Sequence, residues 1–161
     1  MVEINKTVTI KLIFIISIVA LTSAFFIEHV LSHQPCNLCI LERIPYLLSI
    51  IIIVLNYKFA HLEKYFMVLL ILIFLAATIL SLYHLGIEQG FIEESLVCDL
   101  KNGTDLLSKE DILKQLQEKN VSCKDVTFKI FGLSLTSYNV IISILIVYFT
   151  AKAYLNYDKN K

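Results

Sequence analysis

Hydrophobic positions in this chain come in long unbroken runs. They do not alternate as in a half-buried strand, nor do they fall at the three-and-four spacing of a one-sided helix. Four runs stand out, at about 8–30, 38–56, 65–85 and 135–154. Each can cross the hydrocarbon core of a bilayer, which takes about 20 residues at about 1.5 Å rise per residue. Lipid offers no hydrogen-bonding partner to an open backbone, so segments of this length are expected to be helices. The pattern predicts an all-α membrane protein: a four-transmembrane-helix bundle in which residues 1–161 make a single integral membrane domain. Thr22-Ser23-Ala24 has the small side chains of a signal-peptide cleavage site. The run continues through Phe25-Phe26-Ile27, however, so the first helix is expected to be retained.

The polar interruptions differ in length and charge. Glu28-His29, Ser32-His33 and Pro35 make a short turn after the first run, and Tyr57 to Lys64 connect the second to the third. The one sizeable polar segment is about 86–132. Within it, Ser108-Lys109-Glu110-Asp111 reads as a helix start, and Ile112, Leu113 and Leu116 follow on one face, which predicts a short amphipathic helix. That segment holds six lysines against nine carboxylates, a balance of −3. The termini and the Tyr57–Lys64 connector together hold seven lysines against three carboxylates, a balance of +4. Lysine-rich short flanks stay in the cytoplasm. Both termini are therefore expected inside and the acidic loop outside. Composition agrees: 57% of the residues are hydrophobic, against about 45–50% in an average soluble domain. The formal net charge is zero, so no basic field argues for nucleic acid.

That topology places all four cysteines on the outer, oxidising side. Cys36 and Cys39 open the second span in the stretch Pro35-Cys36-Asn37-Leu38-Cys39-Ile40-Leu41-Glu42-Arg43, and Cys98 and Cys123 fall in the acidic loop. A thiol in the first turn of a helix has its thiolate favoured by unpaired N–H groups. On a regular helix Arg43 would share a face with Cys36 and Cys39 and add a permanent cation. The alternative for Arg43 is an ion pair with Glu42 or Glu28. Pro45 removes one backbone hydrogen bond, and a kink near the motif follows. Two cysteine pairs on one side, one in a loop and one at the lipid boundary, suggest an electron relay ending on a lipid-soluble two-electron acceptor. Two other readings stay open: a zinc site with four thiolates, and purely structural disulfides.

These residues resemble the disulfide bond formation protein B family, DsbB, with its DsbI-type relatives. The likeness runs through Glu28-His29-Val30 and the Cys-X-X-Cys-X-X-Glu-Arg motif, Tyr83-His84-Leu85-Gly86-Ile87-Glu88, Cys98-Asp99, and Cys123 with Phe131-Gly132-Leu133-Ser134 and Tyr138-Asn139. It implies a quinone-dependent protein-dithiol oxidase that reoxidises a periplasmic, thioredoxin-fold, DsbA-like protein. The implied disulfides are Cys36–Cys39 and Cys98–Cys123, with Cys98 meeting the partner and Cys123 passing electrons toward Cys36. Bound ubiquinone or menaquinone would be the acceptor, with Arg43, and also His84 and Glu88, on the cofactor side. No metal and a monomeric chain are expected. The chain departs from the family in having no tryptophan, and Gln89 stands where some members carry a histidine near the quinone. The vitamin K epoxide reductase type, another four-helix membrane reductase with Cys-X-X-Cys chemistry, is the competing enzyme class; its active pair lies late in the bundle.

Overall fold

The structure is a computed structural model that describes residues 6–93, 122–124, 129–130 and 132–159. Helix α1 is Lys6–His29, α2 Asn37–Leu41, α3 Ile44–Lys58, α4 Glu63–Glu88 and α5 Leu135–Lys159. A single 3₁₀ turn, Ala60–Leu62, joins α3 to α4. Strands β1, Lys129–Ile130, and β2, Leu133–Ser134, pair antiparallel just ahead of α5. Four segments are long and apolar enough to cross a membrane: α1, α2 with α3, α4, and α5 as far as Asn156. The four-helix membrane architecture expected from the runs is the one observed. The amphipathic helix expected around residues 108–116 lies outside the described residues.

Two local differences bear on the site. The second span is not one helix. Pro45 sits in the first turn of α3, where its missing N–H costs nothing, but on a continuous helix its ring would collide with the carbonyl of Leu41. The chain therefore breaks at Glu42 and Arg43, and the expected kink becomes two helices. At the far end, α4 runs three residues beyond the expected limit and closes in a Schellman turn. Phe91 N–H bonds the Gly86 carbonyl at 2.9 Å, Gly90 N–H bonds that of Ile87 at 3.0 Å, and Gly90 takes φ +76°. A Cβ on Gly86 would stand 2.6 Å from the Ile92 side chain, so the glycine is what lets the chain fold back there.

The bundle is assembled as a membrane protein rather than a soluble one. Leucines, isoleucines and valines face outward along every helix, among them Ile15, Val19, Ile51, Leu72, Ile79 and Leu145. The buried stripes carry small polar residues: Ser17, Ser49, Ser81, Ser143 and Thr150. Small side chains let helix backbones approach closely where lipid supplies no hydrophobic drive between helices. Ser17 and Ser49 share a hydrogen bond of 2.8 Å between α1 and α3, and Ser143 and Thr150 each donate to a carbonyl of their own helix. Helices α4 and α5 share the largest interface, and α1 packs on α3. The central core holds Ile13, Ile53, Leu70 and Phe74, with the Tyr46 ring edge-on to Phe74 at 5.7 Å. Lys6 and Glu63 tie α1 to α4 at the end away from the cysteines by a 2.6 Å ion pair. A second, smaller core lies at the cysteine end: Cys36, Leu38, Ile87 and Cys123.

Candidate functional site

After a turn in which Ser32 takes φ +55°, the chain reaches Cys36 in extended geometry at the N-cap of α2. There its sulfur takes the place of a capping oxygen and accepts the Cys39 N–H at 3.2 Å. Cys36 is buried, while Cys39, one turn on, is half-buried. Helix α4 presents Ser81, His84, Ile87 and Glu88 along one stripe toward α2 and α5. His84 is 1% exposed. Its Nε2 lies 3.5 Å from the Cys36 sulfur, and its Nδ1 lies 2.8 Å from Glu42 Oε1. A carboxylate can only accept, so Glu42 holds an imidazole proton on Nδ1, and a neutral ring then turns its Nε2 lone pair to the Cys36 thiol. Glu42, His84 and Cys36 thus form a carboxylate–imidazole–thiol chain.

Two buried carboxylates need partners, and both have them. The second oxygen of Glu42 accepts from Asn139 Nδ2 at 2.8 Å, and that nitrogen also donates to Ser81 at 2.7 Å. Asn139 Oδ1 in turn accepts the Tyr46 hydroxyl. Glu88 accepts from Ser134 and Thr136, each at 2.6 Å. The short β-hairpin and the first turn of α5 therefore close the network over α4.

Arg43 does not do what helical spacing suggests. Because the helix breaks before α3, its guanidinium turns toward α1, pairing with Glu28 at 2.5 Å and lying 5.3 Å over the Phe25 ring. The expected direct stabilisation of a Cys36 thiolate by Arg43 is replaced by His84. The Cys36 thiol is held well above the ordinary thiol range, first by its contact with the Cys39 thiol and then by burial, while His84 pulls the other way. The helix-dipole contribution expected from sequence is small, since α2 has five residues.

Beside this cluster lies a cleft of about 630 Å³ between α1, the cysteine motif and α5. Ile15, Val19 and Leu21 form an apolar shaft, and Cys39, Glu42, Arg43, Tyr46, Tyr138 and Asn139 a polar head. Its volume falls within the range of small-molecule sites. Cys39 and Arg43 both line it. His84 and Glu88, expected on the cofactor side, do not line the cleft; they lie behind Cys36 in the buried network. Cys123 is 3% exposed and packs in the same small core as Cys36. The Cys36–Cys39 disulfide implied by resemblance is not the form held here. Cys36 and Cys39 are thiols, one of the two states a redox pair must pass through, and Cys98 lies outside the described residues.

The roles of Asn139, Tyr46, Ser134 and Thr136 were not evident from sequence, because each depends on α5 meeting α3 and α4. Glu28 and Glu42 carried a signal, as the only carboxylates in the first two spans.

No solved structure matches this chain. It is 34% identical to an uncharacterized protein of Rickettsia prowazekii (strain Madrid E) over 139 residues, which cover 83% of this chain and 79% of the relative. The family model described as disulfide bond formation protein DsbB matches residues 6–153, a stretch that holds the cysteine motif, its buried histidine and all of the four spans but the last three residues of the fourth. The chain belongs to the DsbB family of membrane disulfide-formation proteins.

Proposed function

We propose that this protein reoxidises a periplasmic, thioredoxin-fold dithiol protein of the DsbA type and passes the electrons through two cysteine pairs to a membrane quinone. One observation carries the reading. Cys36 shares a buried core with Cys123, while Cys39 opens on the cleft with Arg43. The motif pair thus has one sulfur toward the loop and one toward lipid.

The steps balance as thiol–disulfide exchange. In the oxidised protein Cys98 and Cys123 are bridged, and so are Cys36 and Cys39. A partner thiolate attacks Cys98, and the partner's second thiol releases it as a disulfide, leaving Cys98 and Cys123 reduced. Cys123 then attacks Cys36 and frees the Cys39 thiolate into the cleft. Cys98 resolves the Cys123–Cys36 bond, and Cys36 leaves as a thiolate beside His84. Two electrons and two protons have then moved from the partner to the motif pair. A quinone in the cleft would supply the two-electron, two-proton acceptor needed to re-form the Cys36–Cys39 bond. The cleft's apolar shaft suits an isoprenoid tail, and its polar end suits an oxygenated ring. Arg43 and Tyr138 would hold that ring, with Glu28 keeping the guanidinium in place. His84, fixed by Glu42, protonates Cys36 as it leaves and takes the proton back when Cys36 closes the disulfide. This assigns His84 to the thiol rather than to the cofactor.

The test is an oxidation assay with purified protein, a reduced thioredoxin-fold dithiol protein, and ubiquinone or menaquinone. Oxidation should require quinone and should vanish in Cys36→Ser. Quinone-dependent turnover that survives in that variant rules the mechanism out. Trapping a mixed disulfide with Cys123→Ser identifies the partner. Reporter fusions at Lys58 and Asn102 should report opposite sides of the membrane.

A further inference from the structure

We propose that the reduced motif pair and His84 form a redox-gated site for a thiophilic divalent cation of the zinc class. The donor atoms of Cys36, Cys39 and His84 lie within 4.8 Å of one another, each on a separate ligand atom. Tetrahedral zinc bonds sulfur at about 2.3 Å and imidazole nitrogen at about 2.0 Å, which sets a sulfur–nitrogen edge of about 3.5 Å. Cys36 Sγ and His84 Nε2 already stand 3.5 Å apart. Closing the sulfur–sulfur edge to about 3.8 Å asks Cys39 to move by about 1 Å at most.

The surroundings of these three groups are those of a metal site. Glu42 accepts the Nδ1–H of His84, which is how a ligating histidine is oriented and made more basic. That leaves Nε2 as the donor nitrogen, on the side of the sulfurs. The Cys39 N–H points at the Cys36 sulfur and favours its thiolate form. Binding releases two protons, one from each thiol, and transfers no electron. The two thiolates cancel the charge of the cation, so the bound site is not a naked ion in a low-dielectric interior. Cys39 lines the cleft and gives the ion a way in. Three protein donors leave a fourth position for water or a small anion.

This site differs in composition from a four-thiolate centre, since its third donor comes from α4 and it needs neither loop cysteine. It exists only when the pair is reduced, because a Cys36–Cys39 disulfide has no thiolate to offer. An occupied site withdraws both sulfurs from exchange, so the cation acts as an inhibitor that captures the reduced form.

Binding can be measured on the full-length chain in detergent, with neither quinone nor dithiol partner present, so its outcome is separate from that of the oxidase assay. Cobalt(II) is added to protein reduced with a phosphine and to protein oxidised beforehand. The reduced chain should bind one cobalt, with a thiolate-to-cobalt charge-transfer band, and zinc should displace it. The oxidised chain should show no band. The Cys98→Ser, Cys123→Ser double variant should behave like the unaltered chain in both states. His84→Ala and Glu42→Gln should each weaken binding about 10–100-fold. A band in the oxidised chain, a band lost in the double variant, or an affinity untouched by His84→Ala overturns the proposal. The comparison of redox states needs no substitution and stands even where a variant fails to fold.

Discussion

The middle of this bundle and its cysteine end are built on opposite rules. In the middle, no acidic or basic side chain is buried among the described residues. Phe74, Ile53 and Leu70 form the core there, small serines line the buried stripes, and the Ser17–Ser49 bond joins α1 to α3. At the cysteine end, Glu42, His84 and Glu88 are buried within a few ångströms of one another, and Arg43 lies beside them at the cleft. Charge in such a place is costly, and it persists because every group there is partnered. The middle holds the helices together, and the end does chemistry. Substitutions in the two regions should therefore separate activity from stability.

The sharpest break of that contrast is Cys39→Ser, which should lower quinone-dependent turnover by more than about 10³-fold while the thermal midpoint stays put. His84→Gln comes next, with a loss of about 10²-fold near neutral pH. Its pH profile carries the sign. His84 opposes the upward push on the Cys36 thiol from Cys39 and from burial. Without it less thiolate exists at a given pH, so the rising limb of the profile moves to higher pH and part of the activity returns there. A uniform loss at all pH values would make His84 merely structural. Arg43→Ala should raise the KM for quinone about tenfold with a smaller change in kcat, which steady-state kinetics resolves.

In the middle the order reverses. Phe74→Ala should cost about 3 kcal/mol in a denaturation series, and turnover per folded molecule should change by less than about twofold. Ser17→Ala should cost only about 0.6 kcal/mol, the usual worth of a hydrogen bond between membrane helices. If Ser17→Ala cut turnover as His84→Gln does, the division between the two regions would fail.

The same division explains what could be read from sequence. The spans were legible because lipid demands one kind of residue over a fixed length. Pro45 announced a disturbance, but not that it would become a break turning Arg43 to α1. The cysteines were legible from their spacing. His84 was visible as a residue near a helix end, yet its role depends on α4 lying beside α2, a contact between residues 48 apart in the chain. The same holds for Asn139, 97 residues from Glu42, which it caps. Long-range side-chain pairing leaves no periodic trace.

The interruption at Glu42 and Arg43 has a mechanical consequence. A continuous second span would make the sulfurs part of a rigid rod set in the membrane. Here Asn37–Leu41 hang from the span by a turn, and Pro45 cannot donate the bond that would stiffen it. The cysteine segment is thus set on its own axis, separate from the axis of the rod beneath it. Glu42 and Arg43, each gripped by a different neighbouring helix, hold the junction between the two axes in place.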